Sequence, residues 1–247
     1  MGNKKKQNRP RTTKMPGEEG VLYIVATPIG NLKDITLRAL EVLKSVDVIA
    51  CEDTRLTNKL LMHYGIKKRL ISYFEYNKLK RSRQLIELLK DGQSIALVTD
   101  SGTPAISDPG FYITREASRE GIRISPVPGP SALIAALSVS GMPTDRFIFE
   151  GFLPPKQVAR RKKLSLLKEE KRTIIFYEST YRLSKTLSDI KDIFGDIIIC
   201  VCKELTKVYE EAKRGKVSEL LDYFIGAKQK GEFVIIIPKL SPRFTQD

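Results

Sequence analysis

Residues 21–31 read VLYIVATPIGN, an apolar run followed at once by a short loop that contains proline, glycine and asparagine. An uninterrupted run of this kind is typical of a strand that is covered on both faces. A helical pattern comes next, with Leu37, Leu40 and Leu43 recurring along one side and Asp34 available as its cap. The succession of strand, loop and helix predicts an α/β fold.

The rest of the first half repeats this pattern, with further apolar runs that alternate with helical segments. Because each run is short and bounded by turn residues, we predict strands at Val46–Cys51, Leu70–Tyr73, Ser94–Thr99 and Ile124–Val127. A second set of elements starts near Phe147. It predicts strands at 147–151, 173–178, 197–202 and 233–238, with helices at 157–170 and 181–194.

The cluster GMPTD at residues 141–145 interrupts the pattern between the two halves and is the best linker candidate. We therefore predict two α/β domains, residues 21–143 and 144–240. Residues 1–20 hold six basic residues and little that is apolar, which predicts a disordered basic arm, and residues 241–247 form a tail.

The chain of 247 residues is strongly basic, since 43 Lys and Arg against 29 Asp and Glu give a formal charge of +14. Such an excess indicates an acidic partner, with RNA or DNA first and a membrane surface second. Residues 1–20 contribute +4 and residues 155–172 contribute +6. Tyr73, Phe74 and Tyr76 lie between other basic segments, where they are available to stack on an unpaired base.

Several classes of protein are excluded by composition. With 41% apolar residues the chain can bury a core, and no apolar run approaches the roughly 20 residues that span a bilayer. We therefore expect a soluble protein, with RNA and not a membrane as its partner. Three cysteines, an odd count, and no secretory leader favour a reducing cytoplasm. A single histidine, His63, leaves no zinc cluster of useful spacing, so we expect no metal.

Three loops rich in glycine and proline follow predicted strands of the first half, at residues 27–31, 100–110 and 128–132. Parallel α/β sheets bind ligands at the carboxyl ends of their strands. Glycine lets a ligand approach the backbone, and proline fixes the loop before binding. Any one loop is equally well explained as an ordinary turn, but three together favour a binding site.

Charged residues follow other predicted strands. Glu52, Asp53 and Arg55 come directly after the second strand, where a carboxylate can accept a proton from a substrate hydroxyl and a guanidinium can bind phosphate. The same residues also fit a helix N-terminus with Asp53 or Thr54 as the cap. Two second-domain strands end similarly, with Tyr177, Glu178 and Arg182 after one and Lys203 at the end of another.

These segments together resemble a known family. The motifs, in order, are LYIVATPIGNLKDITLRAL at 22–40, IACEDTR at 49–55, ALVTDSGTPAISDPG at 96–110, VPGPSALIAALSVSG at 127–141, FEGFLP at 149–154, FYEST at 176–180 with Tyr181 and Arg182, KELTK at 203–207 and GEFVIII at 231–237. They resemble the bacterial small-subunit ribosomal RNA ribose methyltransferases, the RNA-modifying branch of the tetrapyrrole methylase superfamily. The resemblance runs from about Val21 to Pro238.

The resemblance implies two α/β domains of the tetrapyrrole methylase type with an S-adenosylmethionine site in the cleft between them. It implies a homodimer that methylates the 2′-hydroxyl of a decoding-region cytidine in 16S rRNA, as naked RNA or within the 30S subunit. Matching by motif, the residues implied to bind the cofactor are Pro28, Asp100, Gly102, Thr103, Ile106, Ser131, Ala132 and Tyr177.

Two positions depart from the family pattern, since Tyr76 and Tyr181 stand where the family usually has histidine. We therefore expect a carboxylate to act as the general base, with Glu52, Asp53 and Glu178 as candidates. Arg55, Arg182 and Lys203 are candidates for substrate binding. Two alternatives stay open, a tetrapyrrole-type small-molecule methyltransferase and a non-catalytic RNA-binding factor of ribosome assembly.

Overall fold

The structure is a computed structural model that describes residues 20–225 and 231–239. The predicted basic arm, apart from Gly20, and the predicted tail lie outside these residues. The described part of the chain forms two five-stranded sheets with helices packed on them, which confirms the predicted α/β class.

The first sheet is parallel throughout, with strand order β3-β2-β4-β1-β5. Leu22, Val48, Ala50, Ile95 and Leu97 are almost fully buried, as continuous apolar strands covered on both faces require. The strands are β1 (Leu22–Val25), β2 (Val48–Cys51), β3 (Arg69–Ser72), β4 (Ile95–Val98) and β5 (Ile124–Val127). The helices are α1 (Leu37–Ser45), α2 (Thr54–His63), α3 (Lys78–Lys90) and α4 (Gly110–Arg119).

The second sheet is mixed, with strand order β6-β7-β10-β8-β9. Only the β6–β7 pair is parallel among its described pairs. Its strands are β6 (Phe147–Phe152), β7 (Thr173–Ser179), β8 (Ile198–Lys203), β9 (Glu211–Lys216) and β10 (Glu232–Ile237). The helices that go with it are α5 (Ala132–Val139), α6 (Gln157–Leu167), α7 (Leu183–Phe194) and α8 (Val217–Ile225).

The chain divides into two compact units, one around each sheet. Of the described residues, the first unit comprises 20–25, 37–100 and 104–127, and the second comprises 26–36, 101–103, 128–225 and 231–239. Helix α5 and the loop after β1 thus group with the second sheet. The predicted domain boundary at 143/144 falls between the last strand of the first sheet and the first strand of the second, and stays a prediction.

The two faces of the second sheet carry different neighbours, because successive side chains of a strand point to opposite faces. One face, with Phe176 of β7 and Phe233 of β10, packs against side chains of α6, α7 and α8. The opposite face, with Ile175 of β7 and Val234 of β10, packs against α5 and against Ile29 from the loop after β1. This division decides which candidate residues can lie together.

Helix α1 begins at Leu37, so the prediction that Asp34 caps it is wrong. Asp34 instead ends a 3-10 turn, Leu32–Asp34, whose cap is Asn31. The three cysteines are free and buried. Between residues 20 and 225 and from 231 to 239, no helix is long and apolar enough to cross a bilayer.

Candidate active site

The loops after β2 and β4 lie side by side in the first unit, because these strands are neighbours in the sheet. The Thr99 hydroxyl donates to Oε2 of Glu52 at 3.2 Å, and the Asp53 amide donates to Oδ1 of Asp100 at 3.0 Å. Three carboxylates of the predicted site are therefore held at the carboxyl ends of β2 and β4. They belong to Glu52, Asp53 and Asp100.

The three carboxyl groups differ in acidity. Lost hydration raises the pKa of Glu52, and the charge of Asp100 raises it further, although Glu52 as a residue remains exposed. Burial likewise raises the pKa of Asp100. Hydrogen bonds from Arg55 instead lower the pKa of Asp53 to about 2. A higher pKa gives a stronger base, so Glu52 is better suited than Asp53 to accept a proton.

Asp53 is the N-cap of α2, as the alternative interpretation of this segment expects. Its Oδ1 accepts from the amide of Arg55 at 2.8 Å, and the guanidinium of Arg55 closes an ion pair with Oδ2 at 2.7 Å. The Arg55 side chain is 86% exposed. Surface ion pairs of this kind contribute little to stability, so Arg55 can exchange Asp53 for a phosphate at small cost.

The loop between β4 and α4 has a strained backbone. Ala105 and Ser107 adopt positive φ angles of 68° and 61°, which non-glycine residues rarely do. Asp108 holds this shape, since its Oδ1 accepts from the amides of Ala105 and Gly110 at 2.9 and 2.6 Å. The side chain of Ile106 between them is 49% exposed. Strain that is held by dedicated hydrogen bonds favours a binding role for this loop.

The predicted cofactor loops within the second unit are joined by hydrogen bonds. Thr27 and Gly102 exchange backbone bonds at 2.9 and 3.1 Å, and Thr103 donates its hydroxyl to the carbonyl of Pro130 at 3.1 Å. Gly102 has a φ of +87°, the left-handed region that glycine tolerates best. Pro28 is buried beside this bridge. The structure therefore brings the three glycine- and proline-rich loops together, as the sequence predicts.

Tyr177 connects β7 to the N-terminus of α5. Its hydroxyl accepts from the amide of Leu133 at 3.2 Å, and its ring makes edge contacts with Phe149 and Phe152. Burial raises the pKa of the phenol. Ser131 makes no capping hydrogen bond, so apart from the Leu133 amide the first turn of α5, which includes Ala132, keeps amide groups that an anionic group can use.

The remaining candidates of the second unit do not lie beside Tyr177. They are Glu178, Arg182 and Lys203. Glu178 and Lys203 both pair with Phe233, which puts them on the face packed by α6, α7 and α8, opposite to Tyr177. The Glu178 side chain is fully buried, accepts from Thr186 at 2.6 Å and pairs with Arg182 at 2.7 Å.

The guanidinium of Arg182 also donates to the carbonyl of Leu153 at 2.9 Å. Contacts of this kind favour a stabilising role for Glu178 and Arg182. Lys203 is half-buried at the end of β8.

The basic segment at 156–163 is largely neutralised by acids of its own unit. Arg160, only 2% exposed, pairs with Asp189 at 2.7 Å, and Arg161 pairs with both Asp189 and Asp192. Lys163 pairs with Glu150 at 2.6 Å, so three of the basic residues of this segment, Arg160, Arg161 and Lys163, are held in ion pairs. The sequence count therefore overstates how much charge α6 offers to a partner.

Two buried oxygen atoms outside the predicted site residues lack hydrogen-bond partners in the part of the chain that the structure describes. Oδ2 of Asp34 and Oγ1 of Thr206 are buried without a hydrogen-bond partner among the described residues. Thr206 has a positive φ of 66°, and its neighbour Lys207 closely approaches Gly30 of the loop after β1. Buried polar atoms are normally paired, so these two suit a polar ligand. Their place in the motifs at 22–40 and 203–207 was the only sequence signal.

Within the two described ranges, no group of three or more His, Cys, Asp or Glu side chains is arranged to hold a metal ion.

The chain is thus a two-unit α/β protein. It has a parallel α/β unit followed by a mixed one, and hydrogen bonds join its glycine- and proline-rich loops. A family model described as Tetrapyrrole (Corrin/Porphyrin) Methylases matches residues 21–221 of the chain. The chain belongs to the tetrapyrrole (corrin/porphyrin) methylase family.

Similar proteins within that family carry names that are more specific than the family description. It is 50% identical over 218 residues to "Ribosomal RNA small subunit methyltransferase I" of Thermotoga maritima, covering 88% of this chain and 98% of the relative. It is also 50% identical over 221 residues to the protein of the same name from Xylella fastidiosa, covering 88% and 81%. A crystal structure of diphthine synthase superposes with a TM-score of 0.69 at 16% identity over 89% and 90% of the chains, which supports the fold alone.

Proposed function

We propose that this protein transfers a methyl group from S-adenosylmethionine to the 2′-hydroxyl of a decoding-region cytidine in 16S ribosomal RNA. The observation that carries the proposal is the 50% identity, over 88% of the chain, to proteins named as small-subunit ribosomal RNA methyltransferases. The eight motifs of the sequence support the ribose as the methylated group, because they match the ribose-methylating branch of the family.

The donor's binding residues would come from the joined loops of the second unit. Gly102 carries no side chain, which lets a ligand approach the loop at this point, and the first turn of α5 at Ser131 and Ala132 offers amides to a carboxylate. The unpaired oxygens of Asp34 and Thr206 suit the ammonium and hydroxyl groups that this donor carries. The residues present therefore fit S-adenosylmethionine.

S-adenosylmethionine supplies an electrophilic methyl group on a sulfonium, and its leaving thioether is neutral. The protein therefore needs no acid for the leaving group. What it must supply is a position for the ribose oxygen in line with the methyl group and an acceptor for the hydroxyl proton. Glu52 is the proposed acceptor, because it is exposed and its pKa is raised.

Other charged residues would position the RNA. Arg55 is the proposed phosphate ligand at these strand ends, since its side chain is 86% exposed and, among the described residues, its ion pair is with Asp53. Lys203 is the remaining candidate on the second sheet. The resemblance also supports a cytoplasmic location and a homodimer. Sedimentation of the purified protein at several concentrations would test the homodimer.

The proposal is tested by methylation of small ribosomal subunits from cells that lack this gene. We expect the purified protein with labelled S-adenosylmethionine to produce one 2′-O-methylcytidine per subunit, located by mass spectrometry of nuclease fragments of 16S rRNA. Naked 16S rRNA serves as a second substrate. Label on a base, label on a tetrapyrrole only, or no label in either RNA would refute the proposal.

The donor loop is tested separately with Gly102→Ala. Its added Cβ would lie 3.5 Å from Ile29, which is ordinary contact, so the effect comes from the φ of +87°, worth about 1–2 kcal/mol. Gly121→Ala is the matched control, with a φ of +73° and nothing within 4 Å. Both variants should lose similar stability, but only Gly102→Ala should bind S-adenosylmethionine more weakly in calorimetry. Equal donor affinity in the two variants would remove this loop from the site.

A further inference from the structure

The turn after β3 holds a tyrosine in solvent. The side chain of Tyr76 is 95% exposed, although this turn itself is well ordered by hydrogen bonds. Asn77 accepts from the amide of Phe74 at 2.9 Å and donates to the carbonyl of Ser72 at 3.2 Å, and its own amide donates to the carbonyl of Phe74 at 3.0 Å. These hydrogen bonds fix the backbone of the turn that carries Tyr76.

Only Tyr76 among the aromatic residues of this segment is fully available. Tyr73, which the sequence offers equally, is 2% exposed, and its hydroxyl contacts Ser82, Pro109 and Ile113. The prediction that Tyr73 is available to stack is therefore wrong. Phe74 is half-buried and makes an edge contact with Tyr76 at 6.4 Å, which leaves the outer face of the tyrosine open.

The turn that carries Tyr76 follows the carboxyl end of β3, and Glu52 follows the carboxyl end of the neighbouring strand β2. Strands β2 and β3 are parallel neighbours, with Cys51 opposite Ser72, and the amide of Tyr73 donates to the carbonyl of Cys51 at 2.7 Å. The chain segments that carry Glu52 and Tyr76 thus leave two adjacent strands at the same level, and neighbouring strands are only about 4.8 Å apart.

Positively charged residues follow the tyrosine directly along the chain. Helix α3 begins at Lys78 directly after the turn, and its first two turns carry Lys78, Lys80, Arg81 and Arg83. Lys78 pairs with Glu75, but Lys80 and Arg83 are exposed and form no ion pair with any described residue. An open aromatic face beside unpaired cations is the combination that binds single-stranded nucleic acid.

We propose that Tyr76 stacks on an unpaired base of the RNA substrate next to the methylated nucleotide, while Lys80 and Arg83 bind the adjoining phosphates. This inference rests on the proposed function and adds a residue that positions the substrate. Stacking by an aromatic side chain tolerates any base, so Tyr76 contributes affinity and position, and base identity is read elsewhere.

The test compares Tyr76→Ala with Tyr76→Phe and Tyr76→Trp on small subunits from cells that lack this gene. Loss of one stacked base predicts a rise of about five- to a hundredfold in the KM for subunits in Tyr76→Ala, with the KM for S-adenosylmethionine unchanged. The phenylalanine and tryptophan variants should stay close to wild type. Tyr209→Ala is the matched control, since Tyr209 is a 77% exposed tyrosine of the second unit.

Binding to a labelled single-stranded RNA oligonucleotide, followed by fluorescence anisotropy, gives a readout that does not depend on methylation. Wild-type protein that methylates nothing would therefore defeat the proposed function without deciding this inference. An unchanged KM and RNA affinity in Tyr76→Ala would overturn the inference. So would a change in oligomeric mass with unchanged RNA affinity, because Tyr76 would then belong to a contact between copies of the chain.

Discussion

The carboxyl end of β2, at Glu52, and the carboxyl end of β7, at Glu178, carry the same types of residue in opposite environments. Glu52 is exposed with a raised pKa, and Arg55 beside it is 86% exposed. Glu178 is fully buried and bound by Thr186 and Arg182. We therefore expect carboxylates and guanidinium groups at strand ends to serve chemistry where solvent reaches them and stability where it does not.

The basic helices show the same contrast. In α6, Arg160 and Arg161 are held by Asp189, whereas in α3 Lys80 and Arg83 have no acidic partner among the described residues. Changes at the second sheet should therefore alter the free energy of unfolding, and changes at the first should alter turnover or RNA affinity.

The largest expected effect is on stability. Asp189→Ala leaves the guanidinium of Arg160, 2% exposed, buried without its partner, which costs about 3–5 kcal/mol. Guanidinium denaturation of the two proteins measures this loss. Asp192→Ala is the control, because Asp192 is an exposed partner of Arg161, and its loss should be far smaller. Equal losses in the two variants would contradict the assignment of Asp189 to the core of the second unit.

The second prediction concerns pH. A general base works in its deprotonated form, so activity should fall as pH drops through the pKa of that base. Because the pKa of Glu52 is raised, the acid limb of kcat/KM should lie above the ordinary glutamate value of 4.5. A limb near 2, where Asp53 titrates, would assign the role to Asp53 instead.

The smallest expected effect is on the salt dependence of RNA binding. This measurement compares α3 with α6 directly. Replacing Lys80 and Arg83 by alanine removes two phosphate contacts and should reduce the slope of log affinity against log salt by about 1.4 for single-stranded RNA. The matched double variant in α6, Arg161→Ala with Lys163→Ala, should change the slope far less, because each of these side chains is only 39% exposed and is held by an acid of the same unit. A larger change in the α6 variant would reverse the comparison.

Much of the fold could be predicted from the sequence because buried strands are apolar throughout. Strand β5, at residues 124–127, has the predicted bounds, and other strands differ by one or two residues. Strand β9, Glu211–Lys216, was missed because it is a polar edge strand whose pairing depends on β8 and on no pattern of its own.

The candidate site was harder to predict, because sequence gives residue types but not their surroundings. The three loops were found since glycine and proline mark them. Glu52 and Glu178 could not be separated, and neither could Tyr73 and Tyr76, because burial by α7 or by α4 is a property of the folded chain. Asp34 and Thr206 were recognised only from their unpaired oxygens.

The most direct test of this account compares Glu52→Gln with Glu178→Gln, using turnover on small subunits and the free energy of unfolding of each variant. We predict that Glu52→Gln lowers kcat by about a hundredfold or more with unchanged stability. Glu178→Gln should lose about 1–3 kcal/mol of stability and keep its turnover while folded. Wild-type kcat in Glu52→Gln, or loss of kcat at full stability in Glu178→Gln, would contradict the account.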